Sequence, residues 1–209
     1  LQYILEQWDF LDYTLTIRPP LLCPRPETEE LVLMVAEHIK KEQQQRSGPF
    51  RILDVGCGTG AIACSLAAIF DGMNTKVEVT AIDIEPMAIQ VTKENANRLQ
   101  VTVESELVSA QDYNATNSKS FDLIVSNPPY IPPRDMEALD RTVQEYESSV
   151  ALVGGTSEDG MDIIRTIVKQ FVSWTTATGG STAATCWMEV DPSQPKLLKG
   201  WLEDCATEH

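Results

Sequence analysis

The 209-residue chain has few basic side chains, few histidines and no CxxC pair, and each shortage excludes a class of function. Sixteen Lys and Arg stand against 31 Asp and Glu, a net charge of −15. A nucleic-acid surface as the main partner is disfavoured, because phosphate binding needs clustered cations. An acidic balance commonly serves solubility, although a basic protein partner also fits it. The two histidines, His38 and His209, lie at no zinc-binding spacing from Cys23, Cys57, Cys64, Cys186 and Cys205. Neither a metal site nor a disulfide framework is therefore expected, and the odd cysteine count points to a reducing compartment. The longest strongly apolar stretch, residues 61–70, falls far short of the ~18 residues of a membrane span. The chain opens on Leu1 without a basic, apolar targeting segment, so it reads as a trimmed or processed piece.

What is present is regular alternation. With 43% hydrophobic residues the length suits one globular domain with a sizeable core. Leu31, Met34, Val35, His38 and Ile39 recur at helical spacing, and the polar run to residue 46, followed by Ser47-Gly48-Pro49, ends that helix. Strands are predicted over residues 51–55, 77–82, 101–108, 121–126 and 182–190. Helices are predicted over 61–70, 86–99, 159–174 and 192–204, with Pro86 in a first helical turn. Strands separated by such helices imply right-handed crossovers and an α/β fold with a mostly parallel, doubly wound sheet. Residues 1–24 read as a hairpin-like lead-in, since Tyr13-Thr14-Leu15-Thr16-Ile17 alternates like a strand and Arg18-Pro19-Pro20 stops it.

Two loops at strand ends carry the chemistry. Asp54-Val55-Gly56-Cys57-Gly58-Thr59-Gly60 joins the first of these strands to a helix, where glycines allow a sharp turn and close approach of a ligand to unsatisfied N–H groups. The glycines alone fit a purely structural turn equally well. Asp83, ending the next strand, adds an acid at the place where nucleotide folds bind ribose hydroxyls, with a helix-capping carboxylate as the competing reading. The G-x-G-x-G spacing is typical of S-adenosylmethionine sites. Asn127-Pro128-Pro129-Tyr130 follows the strand at 121–126. Its prolines donate no hydrogen bond and favour extended backbone, leaving carbonyls and the Asn127 amide to hold a planar NH2 group. A rigid strand-end turn is the structural alternative.

Together these motifs resemble the HemK/PrmC family of release-factor glutamine methyltransferases. Pro24-Arg25-Pro26-Glu27-Thr28-Glu29 resembles the family's PRP(D/E)TE segment, residues 52–63 its glycine motif, Asn127 to Tyr130 its NPPY, and Asp159-Gly160-Met161-Asp162 its later DG-(L/M)-D element. The resemblance covers nearly the whole chain. It implies a class I S-adenosylmethionine-dependent methyltransferase fold, Rossmann-like, in residues 25–209. It also implies S-adenosylmethionine as methyl donor and the GGQ glutamine of a class I peptide release factor as acceptor. The cofactor would then meet Asp54, Gly56, Cys57, Gly58, Thr59, Gly60, Asp83 and Asn127. Asp112 or Tyr113 would neighbour the adenine, a plain loop carboxylate and a half-buried aromatic being the equal alternative. Asn127, Pro128 and Tyr130 would act in catalysis, and Arg25, Glu27, Thr28 and Pro129 would join them around the substrate. No direct nucleic-acid or membrane partner, no metal and a monomeric state complete the expectation.

Several departures qualify it. Ser148 stands where the family has proline, which predicts a looser loop, and residues 154–158 carry extra positions. Residues 135–162 hold eight acids against Arg141 alone, either a solvated face or a surface for a basic partner. The family's N-terminal helical domain and last antiparallel strands are expected to be missing, leaving an exposed sheet edge and a weaker grip on the substrate. Residues 188–192 look more like animal mitochondrial members than bacterial ones. An adenine-N6 nucleic-acid methyltransferase, which shares NPPY, and a noncatalytic scaffold of the same fold remain the alternatives.

Overall fold

The computed structural model describes residues 2–43, 48–73, 75–114, 120–175 and 184–207. A short helix, α1 (Gln2–Leu5), precedes an antiparallel hairpin of β1 (Gln7–Phe10) and β2 (Tyr13–Thr16), in which Gln7 faces Thr16 and Phe10 faces Tyr13. The lead-in is thus a true hairpin, and its inward residues are not spectators. Phe10 and Leu15 are fully buried and join the main core beside Leu31, Val32 and Val35 of α2 (Pro26–Gln43). Burial of such side chains stabilises by about 1.5–3 kcal/mol each. The Asn95 side chain fixes the hairpin's last residue from the other direction, accepting from the Thr16 N–H (2.7 Å) and donating to its carbonyl (2.9 Å).

Five strands form one parallel sheet: β3 (Phe50–Val55), β4 (Val77–Asp83), β5 (Glu104–Leu107), β6 (Leu123–Ser126) and β7 (Thr185–Met188), in the order β5-β4-β3-β6-β7. Helices α3 (Ala61–Phe70) and α4 (Pro86–Arg98) follow β3 and β4. Successive strand residues serve opposite faces, as the pleat requires. Ile52, Val79, Leu123 and Val125 pack in one cluster with α2 and α3, whereas Leu53, Val55, Ile82 and Ile124 pack with Phe121 and with Ile167 and Trp174 of α7 (Asp162–Thr175). The final helix is α8 (Gln194–Thr207). The chain runs outward from β3 through β4 to β5, then returns to β6 on the other side. The strand order reverses between β3 and β6, and crevices for ligands open at the carboxyl ends beside such a reversal.

The differences from expectation are local. The third sheet strand begins at Glu104 rather than 101: the Val101 N–H still bonds the Ala96 carbonyl behind it, and this edge strand has only β4 to pair with. Helix α7 begins at Asp162 rather than 159, because Asp159 and Gly160 (φ 66°) make a turn in which the Asp159 carboxylate accepts from the Met161 N–H. Residues 133–152, unassigned from sequence, form a 3-10 turn (Pro133–Ala138) and two short helices, α5 (Arg141–Tyr146) and α6 (Ser149–Leu152). The start of the predicted last strand (182–183) and the end of the first long helix (44–46) lie outside the described residues.

Candidate active site at the strand reversal

The glycine loop is built by its neighbours. The Gly56 and Cys57 N–H groups both donate to the Ile82 carbonyl at the end of β4 (2.8 and 3.1 Å). Gly60, at φ 76°, lies so close to α4 that a Cβ there would stand 2.8 Å from the Thr92 hydroxyl oxygen. Asp83 ends β4 with its carboxylate turned to the loop: one oxygen accepts from the Gly58 N–H (2.8 Å), the other from the Glu85 N–H (2.9 Å). Burial raises its pKa, partly offset by these backbone donors. Asp54 sits beneath the loop, fully buried, and accepts from the Ala63 N–H of α3 at 3.1 Å. Its second oxygen has no partner among the described residues. Burial pushes this carboxyl up to about 7, with the Asp83 charge adding to the effect.

Above the loop lies a cavity of about 570 Å³, lined by Gly56, Cys57, Gly58, Thr59, Ile82, Asp83 and Asn127 to Pro129. Residues 108–111 make one wall. Pro20 to Leu22 and Ser148 to Ala151 make the cover. The volume lies inside the ~300–1,000 Å³ range of small-molecule sites. The open space around Gly56 and Gly58, where an added Cβ would meet nothing within 4 Å, lies on this side of the loop. An apolar slot ending in the half-buried carboxylate of Asp83 suits a nucleoside-bearing group such as the expected cofactor.

A second pocket, about 130 Å³, adjoins the first. Leu22, Asn127, Pro128, Pro129 and Ala151 line both, so Asn127 and Pro128 form a shared wall. Arg25, Tyr130 and Glu189 line the smaller pocket only. The tetrapeptide is pinned from all sides. The Ser126 hydroxyl donates to the Val55 carbonyl (2.6 Å), the Ile131 N–H to Leu152 (2.9 Å), and the Gln194 side chain to the Tyr130 carbonyl (2.9 Å). Gly154 and Gly160 press against the backbone of Tyr130, where a Cβ on either would collide. The Pro128 carbonyl accepts no hydrogen bond among the described residues. Burial raises the pKa of Tyr130, as do the charges of Glu189 and Asp191.

Not every expected site residue is brought together. Thr28 is buried and lines the larger cavity, but Glu27 is exposed and lines neither. Asp54 and Gly60 shape the loop from behind without lining the cavity. Asp112 and Tyr113 also lie outside it. The Asp112 carboxylate accepts from the Ser109 hydroxyl (2.6 Å), and the Tyr113 ring packs on Phe121 and Trp174 in the core, so Val108 to Gln111 supply the wall instead. The loop before α6 is not loose at Ser148, whose N–H donates to the Pro20 carbonyl (2.8 Å). Beside it the nearly buried Glu147 takes Arg25 through both oxygens (2.7 and 2.9 Å). Within the acidic run, Arg165 neutralises Asp159, whose pKa falls to about 2. Glu189 and Gln194 were missed as site residues, since nothing in their spacing marks them.

The sequence profile of the methyltransferase small domain matches residues 32–148, more than half the chain. The chain belongs to that family. Within it the chain is similar to release factor glutamine methyltransferases, the group its motifs resemble. It is 38% identical over 97% of its length to the human MTRF1L release factor glutamine methyltransferase, covering 59% of that protein. It is 40% identical over 81% of its length to the release factor glutamine methyltransferase of Koribacter versatilis, covering 56%, and 38% identical over 80% to that of Geobacter sulfurreducens, covering 54%. The chain therefore spans less than two thirds of the length of these relatives. Its sheet and crossovers are those of a class I methyltransferase.

Proposed function

We propose that this chain transfers a methyl group from S-adenosylmethionine to the side-chain amide nitrogen of a glutamine, the GGQ glutamine of a class I peptide release factor. One observation carries the reading: the two cavities meet at Asn127 and Pro128, so a donor in the larger and a planar amide in the smaller share one wall. The cofactor supplies an electrophilic methyl on sulfur. The chain's residues hold, aim and desolvate. The glycine loop and Asp83 are suited to the nucleoside side of the larger cavity. On the other side, the Pro128 carbonyl and the Asn127 amide oxygen accept the two N–H bonds of the substrate. A primary amide nitrogen is weakly nucleophilic because its lone pair is delocalised. Fixing both N–H bonds aims that lone pair along the transfer line and favours the positive charge that develops there. S-adenosylmethionine held by the glycine loop and Asp83 would supply the methyl group, and Asn127 and Pro128 would hold the acceptor nitrogen that takes it and gives up one N–H proton to water. Tyr130 closes the side of the smaller pocket.

Names of the relatives, the motif set and the acidic surface support a protein acceptor over DNA. The same motifs, with residues 25–209 as the catalytic unit, favour an active enzyme over a scaffold. The likeness of residues 188–192 to animal mitochondrial members supports a mitochondrial address. The test is methyl-labelled cofactor offered with release factor and, separately, with DNA. Label on the GGQ peptide, lost at least ~100-fold in Asn127→Ala, is the expected result. Label on DNA, or on neither substrate, overturns the proposal.

A further inference from the structure

Asn127 can serve an incoming amide only with its oxygen toward the smaller pocket. The reversed amide would set its own NH2 against the substrate's NH2. What holds it the right way round lies behind it. Its Nδ2 donates to the Thr28 hydroxyl oxygen at 3.1 Å, and the Thr28 hydroxyl stands 2.7 Å from Oε2 of Glu189. An ionised carboxylate can only accept, so the short contact takes the hydroxyl proton and leaves Thr28 able only to accept from Asn127. The Thr28 contact claims the NH2 end, and the oxygen is left for the acceptor pocket that Asn127 and Glu189 line together.

We propose that Glu189, acting through Thr28, is the positioning residue that sets the polarity of the Asn127 amide for transfer. The proposal rests on the methyl-transfer reading above. It joins three distant stretches, the start of α2, the end of β6 and the residue after β7, into one directed chain of hydrogen bonds. Donors and acceptors in such a chain must all point one way, so losing its terminal acceptor frees every member to reverse. In Glu189→Leu the Thr28 hydroxyl turns to the nearest acceptor, the Asn127 oxygen, and the amide flips.

The test uses the whole chain as Glu189→Leu, Thr28→Val, Thr28→Ser and the Glu189→Leu/Thr28→Val double variant. A fall in kcat of about tenfold or more is expected for each of the first two. In Glu189→Leu the KM for S-adenosylmethionine should stay within about twofold, since Glu189 lines only the smaller pocket. The double variant should fall no further than the worse single one, and Thr28→Ser, which keeps the hydroxyl, should recover most of what Thr28→Val loses. A Glu189→Leu enzyme within threefold of the parent kcat, or single effects that multiply, overturns the proposal. A second readout needs no turnover: the side-chain amide signal of Asn127 in nitrogen-15 spectra. It should move in Glu189→Leu and return in no Thr28 variant lacking the hydroxyl. An unmoved signal overturns the proposal even if methyl transfer is slow. A moved signal in a chain that methylates nothing sustains it while the transfer reading fails.

Discussion

The two sides of the shared wall are made differently. The cofactor side is local: Asp54 to Gly60 form one continuous turn, and Asp83 reaches it from the adjacent strand with a single hydrogen bond to Gly58. The acceptor side is assembled from distance. Thr28, Asn127, and Glu189 with Gln194 converge from three parts of the chain, and Gly154 and Gly160 close in on Tyr130 from a fourth. A local turn tolerates small shifts in the rest of the molecule. A converging site does not, because each arm transmits its displacement to the same four residues. Damage to the acceptor side should therefore cost more activity per unit of lost stability than damage to the cofactor side.

The largest effect should come from Gly154→Ala. A Cβ there falls within the Gly160 carbonyl oxygen and stands 2.9 Å from the Tyr130 Cα, all backbone that cannot swing away. Overpacking of this kind destabilises by roughly 1–3 kcal/mol. The accompanying shift of the tetrapeptide by a fraction of an ångström should lower kcat by about 100-fold, with cofactor affinity little changed. Thermal melting, calorimetric cofactor titration and turnover on release factor measure the three quantities. A variant that loses stability but keeps kcat within threefold would erase the contrast between the two sides.

This contrast also explains what could be read without coordinates. Strand and helix periods, the glycine turn and Asp83 are signals carried within short windows, and their alternation implies a mostly parallel sheet without fixing its strand order. The acceptor motif was legible as a motif. Its supports were not, because a glutamine at 194 or a glutamate at 189 looks like any polar residue beside a helix start until the fold brings it to Tyr130 or Thr28. The alternation of Val101 and Val103 misled for a related reason. Both pack against the core, but without a ladder partner, so burial imitated a strand. Helices of six and four residues, such as α5 and α6, are too short to show a period at all. Asp112 and Tyr113 were expected beside the adenine from the resemblance, with a loop carboxylate and a half-buried aromatic as the equal reading, and neither lines the cavity.

A middle-sized effect is expected at Asp54, and it depends on pH. Its carboxyl is raised by burial from an ordinary 3.8 to about 7. A raised folded-state pKa gives stability that is full below the unfolded value and lost as pH climbs through the folded one. The window therefore runs from about pH 4 to 7, with a total stake on the order of 4 kcal/mol. Asn in its place keeps the acceptor for the Ala63 N–H and carries no charge to bury. The melting temperature of Asp54→Asn relative to the parent should rise steadily from pH 4 to 7 and level off above. A difference independent of pH would mean that the buried carboxyl titrates normally.

The smallest effect belongs to Asp112→Ala, and its smallness is the point. The carboxylate caps the Ser109 turn, but the backbone there has other ties: the Tyr113 N–H donates to the Ser109 carbonyl at 2.9 Å, and the Val108 N–H to Asp83 at 2.9 Å. Removing one exposed side-chain bond from a turn held this way should cost within about 0.5 kcal/mol. The wall formed by Val108 to Gln111 stays where it is, so cofactor affinity measured by calorimetry should change less than about twofold, under 0.5 kcal/mol. A fivefold loss would put the Asp112 carboxylate in contact with the bound cofactor. The cofactor side would then depend, like the acceptor side, on residues brought in from outside one continuous turn.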